Sequence, residues 1–452
     1  MLRAIFTLPL LLTLLGTAAL AQAAEQRQPT HEFTLDNGLR VIVREDHRAP
    51  VVVSQLWYRV GSSHEPPGQT GISHALEHMM FKGSDRLAPG QASRLLGSLG
   101  ARENAFTSRD YTAYYQILNR AQLPIALELE AERMHRLTLP EDEFIREMEV
   151  IKEERRLRVD DNPNGLAYER FLTQAHMASP YAQPVIGWMH DIERLTVDDL
   201  RAWYDTWYQP GNAILVIVGD VRLDEVRPLV ERFFGPIPAG TPPVQRTPLD
   251  LHDAGERSIV MHLPVQLPSL IMGFNVPGLN TAEEAWEVHA LRLLDAVLSG
   301  GYSARLASRL ERGDSIATSV STSYNGFGRG DTLFLFSGIP NQSRGVSLEQ
   351  LEAAFWEQVE ELKQAPPSAE ELNRVQAQLA AGIVYSQDGI EEQANRIGQL
   401  ESVGLPWTLL DEDLKTIGSI TPEQISDVAR RYLVRERLTR AHVLPAEQKE
   451  TN

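Results

Sequence analysis

The chain has 452 residues, with 43 Lys or Arg against 61 Asp or Glu, so its formal net charge is −18. This acidic balance argues against nucleic acid and anionic lipid as partners, and it favours neutral or basic ones. The chain contains no Cys, which excludes disulfides, thiolate metal sites and a lipid-modified N-terminal cysteine. Its length is ample for two or more domains.

The N-terminus has the features of a secretory signal peptide. Arg3 supplies a positive charge, a short apolar run follows, and small residues near position 20 offer a cleavage site. We therefore predict that residues 1–23 are a signal peptide. An uncleaved anchor is the alternative, although the apolar run is short for a membrane span. Because no later segment approaches a span, we expect no membrane association after cleavage.

A first α+β unit is predicted over residues 24–240. Residues 33–43 are typical of a hairpin with Asn37-Gly38 at its turn, and residues 51–60 of a further strand. A helix follows near residues 71–83, then several more helices, and residues 213–218 form an apolar strand. Strands and helices are mixed, which favours α+β layers.

The most informative pattern is His74-x-x-Glu77-His78. Positions i, i+3 and i+4 share one face of a helix, so the two histidines can hold one metal ion while Glu77 points at its water. Two imidazoles, a nearby carboxylate and an open position are what zinc hydrolysis needs, and H-x-x-E-H is the inverzincin signature. We expect Thr70 to cap this helix and Gly83 to end it.

The alternative is a helix that carries two histidines by chance. Ile72, Leu76 and Met79 surround the histidines with apolar groups, so the helix should be buried. Buried histidines with no shared partner would be costly, and a metal ion removes that cost.

A third ligand must come from His, Asp or Glu, because the chain lacks Cys. Phe144, Met148 and Ile151 form an apolar stripe on a predicted helix over residues 141–158, and Glu147 and Glu154 fall on or beside it. Both carboxylates are candidates, and simple solvation of both is the alternative. The solvated side of this helix is predicted to carry Lys152, Glu153, Arg155 and Arg156.

A second unit is predicted over residues 256–452. Pro and Gly cluster at residues 236–248, which indicates a linker that we place at residues 241–255. Residues 258–263 and 270–274 are typical of strands, and residues 282–298 of a helix. His289 stands in this helix much as His74 stands in the earlier one. The weak repeat fits a duplicated α+β unit whose second copy has no metal site.

Taken together, the chain resembles the pitrilysin/insulysin family of zinc metallopeptidases, and most closely its half-length members, which include the mitochondrial processing peptidase subunits. The resemblance rests on the H-x-x-E-H pattern, on the two glutamates, and on residues 104–115, 179–187 and 207–220. It implies two homologous α/β-layered halves in tandem, of which the first carries the zinc site. The roles it implies are one Zn²⁺ bound by His74, His78 and Glu154, Glu77 as general base, and Glu147 as the residue that orients a ligand histidine.

The resemblance also implies a function. We expect a zinc endopeptidase that hydrolyses unstructured peptides in a closed chamber, located in a bacterial periplasm, where an export signal and a half-length chain fit together. Substrate would add as an extended strand to a sheet edge formed by Asn104, Ala105, Phe106 and Thr107. The alternative for these four residues is an ordinary buried strand.

The second half departs from the family pattern. Members that cleave alone usually carry there an Arg, and a Tyr seven residues later, that contact substrate. Glu311 and Thr318 stand at the matching positions, and the nearby Arg309, Arg312 and Tyr324 do not restore the spacing. We therefore expect a heterodimer in which a homologous half-length subunit supplies the Arg and Tyr. The alternatives are a non-catalytic structural or peptide-binding subunit, and a zinc hydrolase of a non-peptide bond.

Overall fold

The structure, a computed structural model, describes residues 28–446 of the chain. The predicted signal peptide, residues 1–23, lies outside the described residues. Across residues 28–446, no helix has both the length and the apolar character needed to cross a membrane.

The first half, residues 28–240, is built on a six-stranded mixed sheet. The predicted hairpin is confirmed, since its first two strands pair antiparallel and Gly38 at the turn has a φ of 91°. The strands are β1 (Thr30–Thr34), β2 (Arg40–Glu45), β3 (Val51–Tyr58), β4 (Arg102–Thr107), β5 (Thr112–Asn119) and β6 (Ala213–Gly219). Their order in the sheet is β1-β2-β6-β3-β5-β4, so β4 forms one edge.

Most helices of the first half pack on one face of this sheet and form its main core. Leu56 and Tyr58 of β3 meet Ile72 and Leu76 of the first helix there, and all four side chains are buried. The helices are α1 (Ile72–Met79), α2 (Gln91–Ser98), α3 (Leu123–Arg136), α4 (Glu141–Arg155), α5 (Pro163–Ala175), α6 (Met189–Ile192), α7 (Val197–Trp207) and α8 (Leu223–Phe234).

The second half, residues 256–446, repeats this plan with a five-stranded sheet. Its strands are β7 (Arg257–Leu263), β8 (Ser269–Val276), β9 (Ala317–Tyr324), β10 (Thr332–Pro340) and β11 (Leu438–Pro445). Its helices are α9 (Ala285–Ser299), α10 (Leu348–Gln364), α11 (Ala369–Ser386), α12 (Ile390–Ser402), α13 (Leu409–Ser419) and α14 (Pro422–Tyr432).

The two sheets have the same connectivity. The order β7-β11-β8-β10-β9 matches β2-β6-β3-β5-β4, and in each sheet the first of these pairs is parallel while the others are antiparallel. Helix α9 follows β8 as α1 follows β3, which places His289 in the helix that corresponds to the one carrying His74. The predicted α+β class and the duplicated unit are confirmed.

One helix of each half packs against the sheet of the other half. Helix α12 packs on the back of the first sheet, where Ile397 meets Trp57 and Ile214. Helix α5 packs on the back of the second sheet, where Phe171 meets Met261. Residues 241–255 contain no helix or strand, and the division of the chain into units 24–240 and 256–452 stays a prediction.

The exchange predicts a strong effect at Gly398, in the middle of α12. A Cβ atom there would lie 2.0 Å from the Trp57 ring, so Gly398→Ala should lower the free energy of unfolding by about 1–3 kcal/mol through overpacking. Gly382→Ala, in α11, is the matched control, because nothing lies within 4 Å of its added Cβ and helix propensity should raise stability by up to about 1 kcal/mol. Chemical denaturation of both variants measures the difference, and equal stability would show that α12 does not rest closely on the first sheet.

Candidate active site

Helix α1 presents His74, Glu77 and His78, and a buried carboxylate fixes its start. Glu65 accepts the backbone N–H groups of Gly71 at 2.7 Å and Ser73 at 2.9 Å. Burial raises the pKa of Glu65 to about 8, although these backbone donors oppose the rise.

The predicted ends of this helix were wrong. Thr70 does not cap it, because its hydroxyl donates instead to Asp191 at 2.6 Å while Glu65 takes the helix amides. The capping position is Gly71, whose φ of 88° suits glycine, and the helix ends at Met79 rather than near Gly83.

The two histidines converge on one carboxylate of α4. The Nε2 atom of His74 lies 3.7 Å from Oε2 of Glu154, and Nε2 of His78 lies 3.5 Å from the same oxygen. Within residues 28–446, His74, His78 and Glu154 form the one group of at least three His, Asp or Glu side chains that could hold a metal ion, with donor atoms within 4.8 Å of one another. Tetrahedral zinc with bonds of ~2.1 Å needs donors about 3.4 Å apart, so the three residues fit such an ion.

The electrostatics of the site favour metal binding by neutral imidazole. Burial lowers the pKa of His74 to about 3, and the positive charges of His78 and Arg158 add to the effect. His74 therefore stays neutral near pH 7, which is the form that binds a metal.

Neighbouring charges orient the ligand side chains. Nδ1 of His78 lies 3.1 Å from Oε2 of Glu147, which favours the tautomer that donates from Nδ1 and leaves Nε2 free. Lys82 holds the other oxygen of Glu147 at 2.5 Å, and Arg158 holds Oε1 of Glu154 at 2.8 Å. Lys82 and Arg158 were not predicted from the sequence, although each follows a site residue by four positions, the spacing that places side chains together on a helix.

Glu77 faces the edge strand β4. Its Oε2 atom accepts the Thr107 hydroxyl at 2.6 Å. Burial raises the pKa of Glu77, and the Thr107 bond opposes part of this rise. The predicted substrate strand therefore ends beside the candidate base. Asn104 is exposed, whereas Ala105 and Phe106 are half-buried.

Helix α4 buries the predicted stripe of Phe144, Met148 and Ile151, which confirms that feature, but Arg155 does not lie on the solvated side. Its guanidinium is buried and pairs with Glu169 at 2.9 Å, because α5 returns across it.

Arg155 also connects the two ligand helices. It donates to the backbone oxygen of Gly187 at 2.6 Å. A Cβ atom at Gly187 would lie 2.6 Å from Cα of Gly71, so this loop packs tightly against the start of α1. The residue after Glu154 therefore sits in contact with the segment that starts the histidine helix. The spacing of residues along the sequence did not predict this contact between Arg155 and the loop that packs on α1.

The residues at the expected clamp positions make hydrogen bonds within the second half. Glu311 accepts the backbone N–H of Val320 at 2.9 Å, and Thr318 donates to the Ile339 carbonyl at 3.3 Å. The nearby candidates are also engaged locally: Arg309 with Glu361, Arg312 with Tyr302, and Tyr324 with the Pro277 carbonyl.

Fold and site together define a metallopeptidase with an H-x-x-E-H helix, and comparisons with known proteins agree. The sequence profile described as "Insulinase (Peptidase family M16)" matches residues 40–187, and that described as "Peptidase M16 inactive domain" matches residues 194–379. The zinc protease PqqE of Helicobacter pylori is 34% identical over 86% of this chain and 84% of its own. The chain belongs to peptidase family M16, the insulinase family, and is a zinc protease.

Solved structures share the whole fold. A protease from Helicobacter pylori superposes with a TM-score of 0.86 at 29% identity, covering 92% of this chain and 100% of that one. The periplasmic protease PqqL from Escherichia coli superposes with a TM-score of 0.80 at 20% identity, covering 93% of this chain and 48% of that one. The predicted family resemblance is confirmed, including the half-length organisation.

Loss of Arg155 should destabilise the site more than loss of its neighbour. Arg155→Met leaves Glu169 buried without a cation, so we expect unfolding free energy to fall by about 3–5 kcal/mol and zinc content to fall with it. Arg156→Met is the control, since Arg156 pairs with Glu153 at the surface and its loss should change stability by less than about 0.5 kcal/mol. Denaturation and elemental analysis test both variants. Similar stability of the two would contradict the structural role of Arg155.

Proposed function

We propose that this chain is the zinc-bearing subunit of an endopeptidase that hydrolyses unstructured peptides. The observation that carries the proposal is the convergence of both histidine Nε2 atoms on Glu154, with Glu77 on the same helix as the two histidines. His74, His78 and Glu154 would hold one Zn²⁺, and Glu147 would keep His78 in the required tautomer. Zinc bound there supplies a Lewis acid that polarises the scissile carbonyl and the attacking water.

Glu77 serves as the general base. As water adds to the carbonyl carbon, Glu77 accepts its proton, and it then gives that proton to the amide nitrogen as the C–N bond breaks. The Thr107 hydroxyl holds one oxygen of Glu77 and leaves the other to move the proton. Burial of this carboxylate raises its pKa, which strengthens it as a base for work near neutral pH.

Substrate would bind along β4, with Asn104, Ala105, Phe106 and Thr107 as the strand that receives it. Among the described strands β4 pairs only with β5, so its other edge is open for an added strand. Backbone hydrogen bonds along such an edge select extended peptides over folded domains. They would also lay the scissile bond beside Glu77, because Thr107 contacts that residue.

A partner subunit would complete the substrate chamber. Glu311 and Thr318 stand where an Arg and a Tyr are expected, and both contact their own half. The chain covers 48% of PqqL, so one PqqL chain has the length of two such chains. This chain together with a homologous half-length subunit that supplies the Arg and Tyr would have the same total length as one PqqL chain. The N-terminal pattern supports export of the chain to a bacterial periplasm and cleavage of residues 1–23.

The general-base role predicts separate effects on zinc and on turnover. Glu77→Gln should retain zinc and lower kcat by about 10²–10⁴-fold, because the amide cannot accept the proton. His78→Ala is the comparison variant, which should lose zinc as well as activity. Cleavage of a peptide library together with elemental analysis tests both. Wild-type turnover by the Glu77 variant would refute the base assignment, and a zinc-loaded, partner-bound wild type that cleaves nothing would favour the non-catalytic role.

The partner proposal predicts that activity follows a complex. When the protein is purified gently from its native compartment, the active fraction should contain a second chain of similar size, detectable by intact mass. The isolated chain should cleave more slowly, since it lacks the Arg and Tyr contacts. Full activity from the lone chain, as a monomer or homodimer, would contradict this arrangement.

A further inference from the structure

A cavity of about 280 Å³ opens where the two halves meet. Five parts of the chain line it. They are helix α5 through Tyr168 and Leu172, the turn between β4 and β5 through Arg109, helix α9 through Asp295, the end of edge strand β9 through Ser323 and Tyr324, and strand β10 through Leu333 and Leu335. Its volume is close to that of small ligand pockets, and its walls combine leucine side chains with polar and charged groups, among them the Arg109 guanidinium.

The guanidinium of Arg109 has no carboxylate partner among residues 28–446, although the protein has an excess of acidic residues. Its Cζ atom lies 5.4 Å from the centroid of the Tyr181 ring. Two other ionisable wall residues are engaged elsewhere: Asp295 accepts the Thr322 hydroxyl at 2.6 Å, and His176 pairs with Asp250 at 2.9 Å. The planar fork of Arg109 is therefore free to receive a carboxylate in two-point contact.

The backbone beneath Arg109 is held in place. The Arg109 carbonyl accepts the N–H of Ser63 at 2.8 Å, and the Ser108 carbonyl accepts that of Ser62 at 3.2 Å. A Cβ atom at Gly61 would lie 2.2 Å from the Ser108 oxygen, so the two segments are in close contact. Such a turn presents its side chain with little cost in backbone ordering.

The next residue ties the same turn to the second half. The Asp110 carboxylate accepts the Tyr181 hydroxyl and pairs with Arg329 at 3.2 Å, and all three side chains are buried. Because Asp110 is used inside the protein, it does not neutralise Arg109. The fold therefore fixes the cavity, its charge and its position between the halves. None of these depends on a mobile surface side chain.

Arg109 stands two residues beyond Thr107, the end of the strand next to Glu77. We propose that this cavity is a subsite that binds a carboxylate of the peptide substrate through Arg109, which makes Arg109 a specificity-determining residue. This rests on the proposed peptidase function. A peptide that continues past Thr107 brings either an acidic side chain or its terminal carboxylate to the guanidinium, with apolar parts of the same residue against Leu172 and Tyr324.

Binding without turnover tests the subsite. The full mature chain carrying Glu77→Gln is loaded with zinc, and fluorescence anisotropy measures its affinity for unstructured Ala/Ser/Gln/Leu peptides. One set carries Glu or Gln at successive positions, and a second set has a free or an amidated C-terminus. Added variants are Arg109→Gln, Arg109→Lys and, as control, Arg170→Gln, an exposed arginine of α5 that does not line the cavity.

We expect carboxylate peptides to bind the parent about tenfold more tightly than their neutral counterparts, as for a charge-assisted hydrogen bond. Arg109→Gln should abolish this preference without weakening the neutral peptides, Arg109→Lys should keep part of it, and Arg170→Gln should keep all of it. A preference for Glu at one position identifies a side-chain carboxylate, whereas a preference for the free acid alone identifies the C-terminus.

Two results would overturn the subsite: no preference in the parent, or an equal loss of neutral and acidic peptides in Arg109→Gln. The proposed function is tested separately, because a protein that binds acidic peptides through Arg109 and cleaves none would refute the peptidase role and leave the subsite standing.

Discussion

The meeting of helices α1 and α4 is the contact on which the rest of the site depends. It brings the Nε2 atoms of His74 and His78 within 3.7 Å of one Glu154 oxygen, inside a largely apolar surrounding. Burial holds His74 neutral, and Arg158 pairs with Oε1 of Glu154 rather than with the Oε2 atom that faces both rings. A metal ion held by the three residues would add positive charge beside Oε2 and would lower the cost of burying these groups.

Buried polar contacts hold the two helices in that relation. Glu65 binds the first amides of α1, and Arg155 joins α4 to Glu169 and to the loop that packs on the same helix start. Groups of this kind contribute little net stability when paired but cost much when one partner is lost. They therefore fix geometry: a histidine that moved by an ångström would no longer share an ion with Glu154.

The exchange of helices between the halves packs the two sheets tightly together. With α12 on the first sheet and α5 on the second, neither half can move without exposing an apolar sheet face. The same arrangement brings the turn after β4, through Arg109, and the end of β9 to one cavity. A single chain thus carries the three candidate metal ligands, the edge strand β4 and the cavity that Arg109 lines. The Arg and Tyr expected of a clamp are not at their positions in this chain.

Local pattern by itself determined much of this protein. The apolar periods predicted the strands and the stripe of α4, and the spacing of His74, Glu77 and His78 predicted one helix face, because both features depend only on neighbours along the chain. Short-range signals misjudged the ends of α1 and the exposure of Arg155. In each case a distant segment supplied the deciding contact, Glu65 and Asp191 for the helix start, and Glu169 for the arginine. Local pattern left both Glu147 and Glu154 open as the third donor, and only the family resemblance implied Glu154. The physical reason lies in the packing of α4 on α1, which brings Glu154 to both Nε2 atoms and Glu147 to Nδ1 of His78.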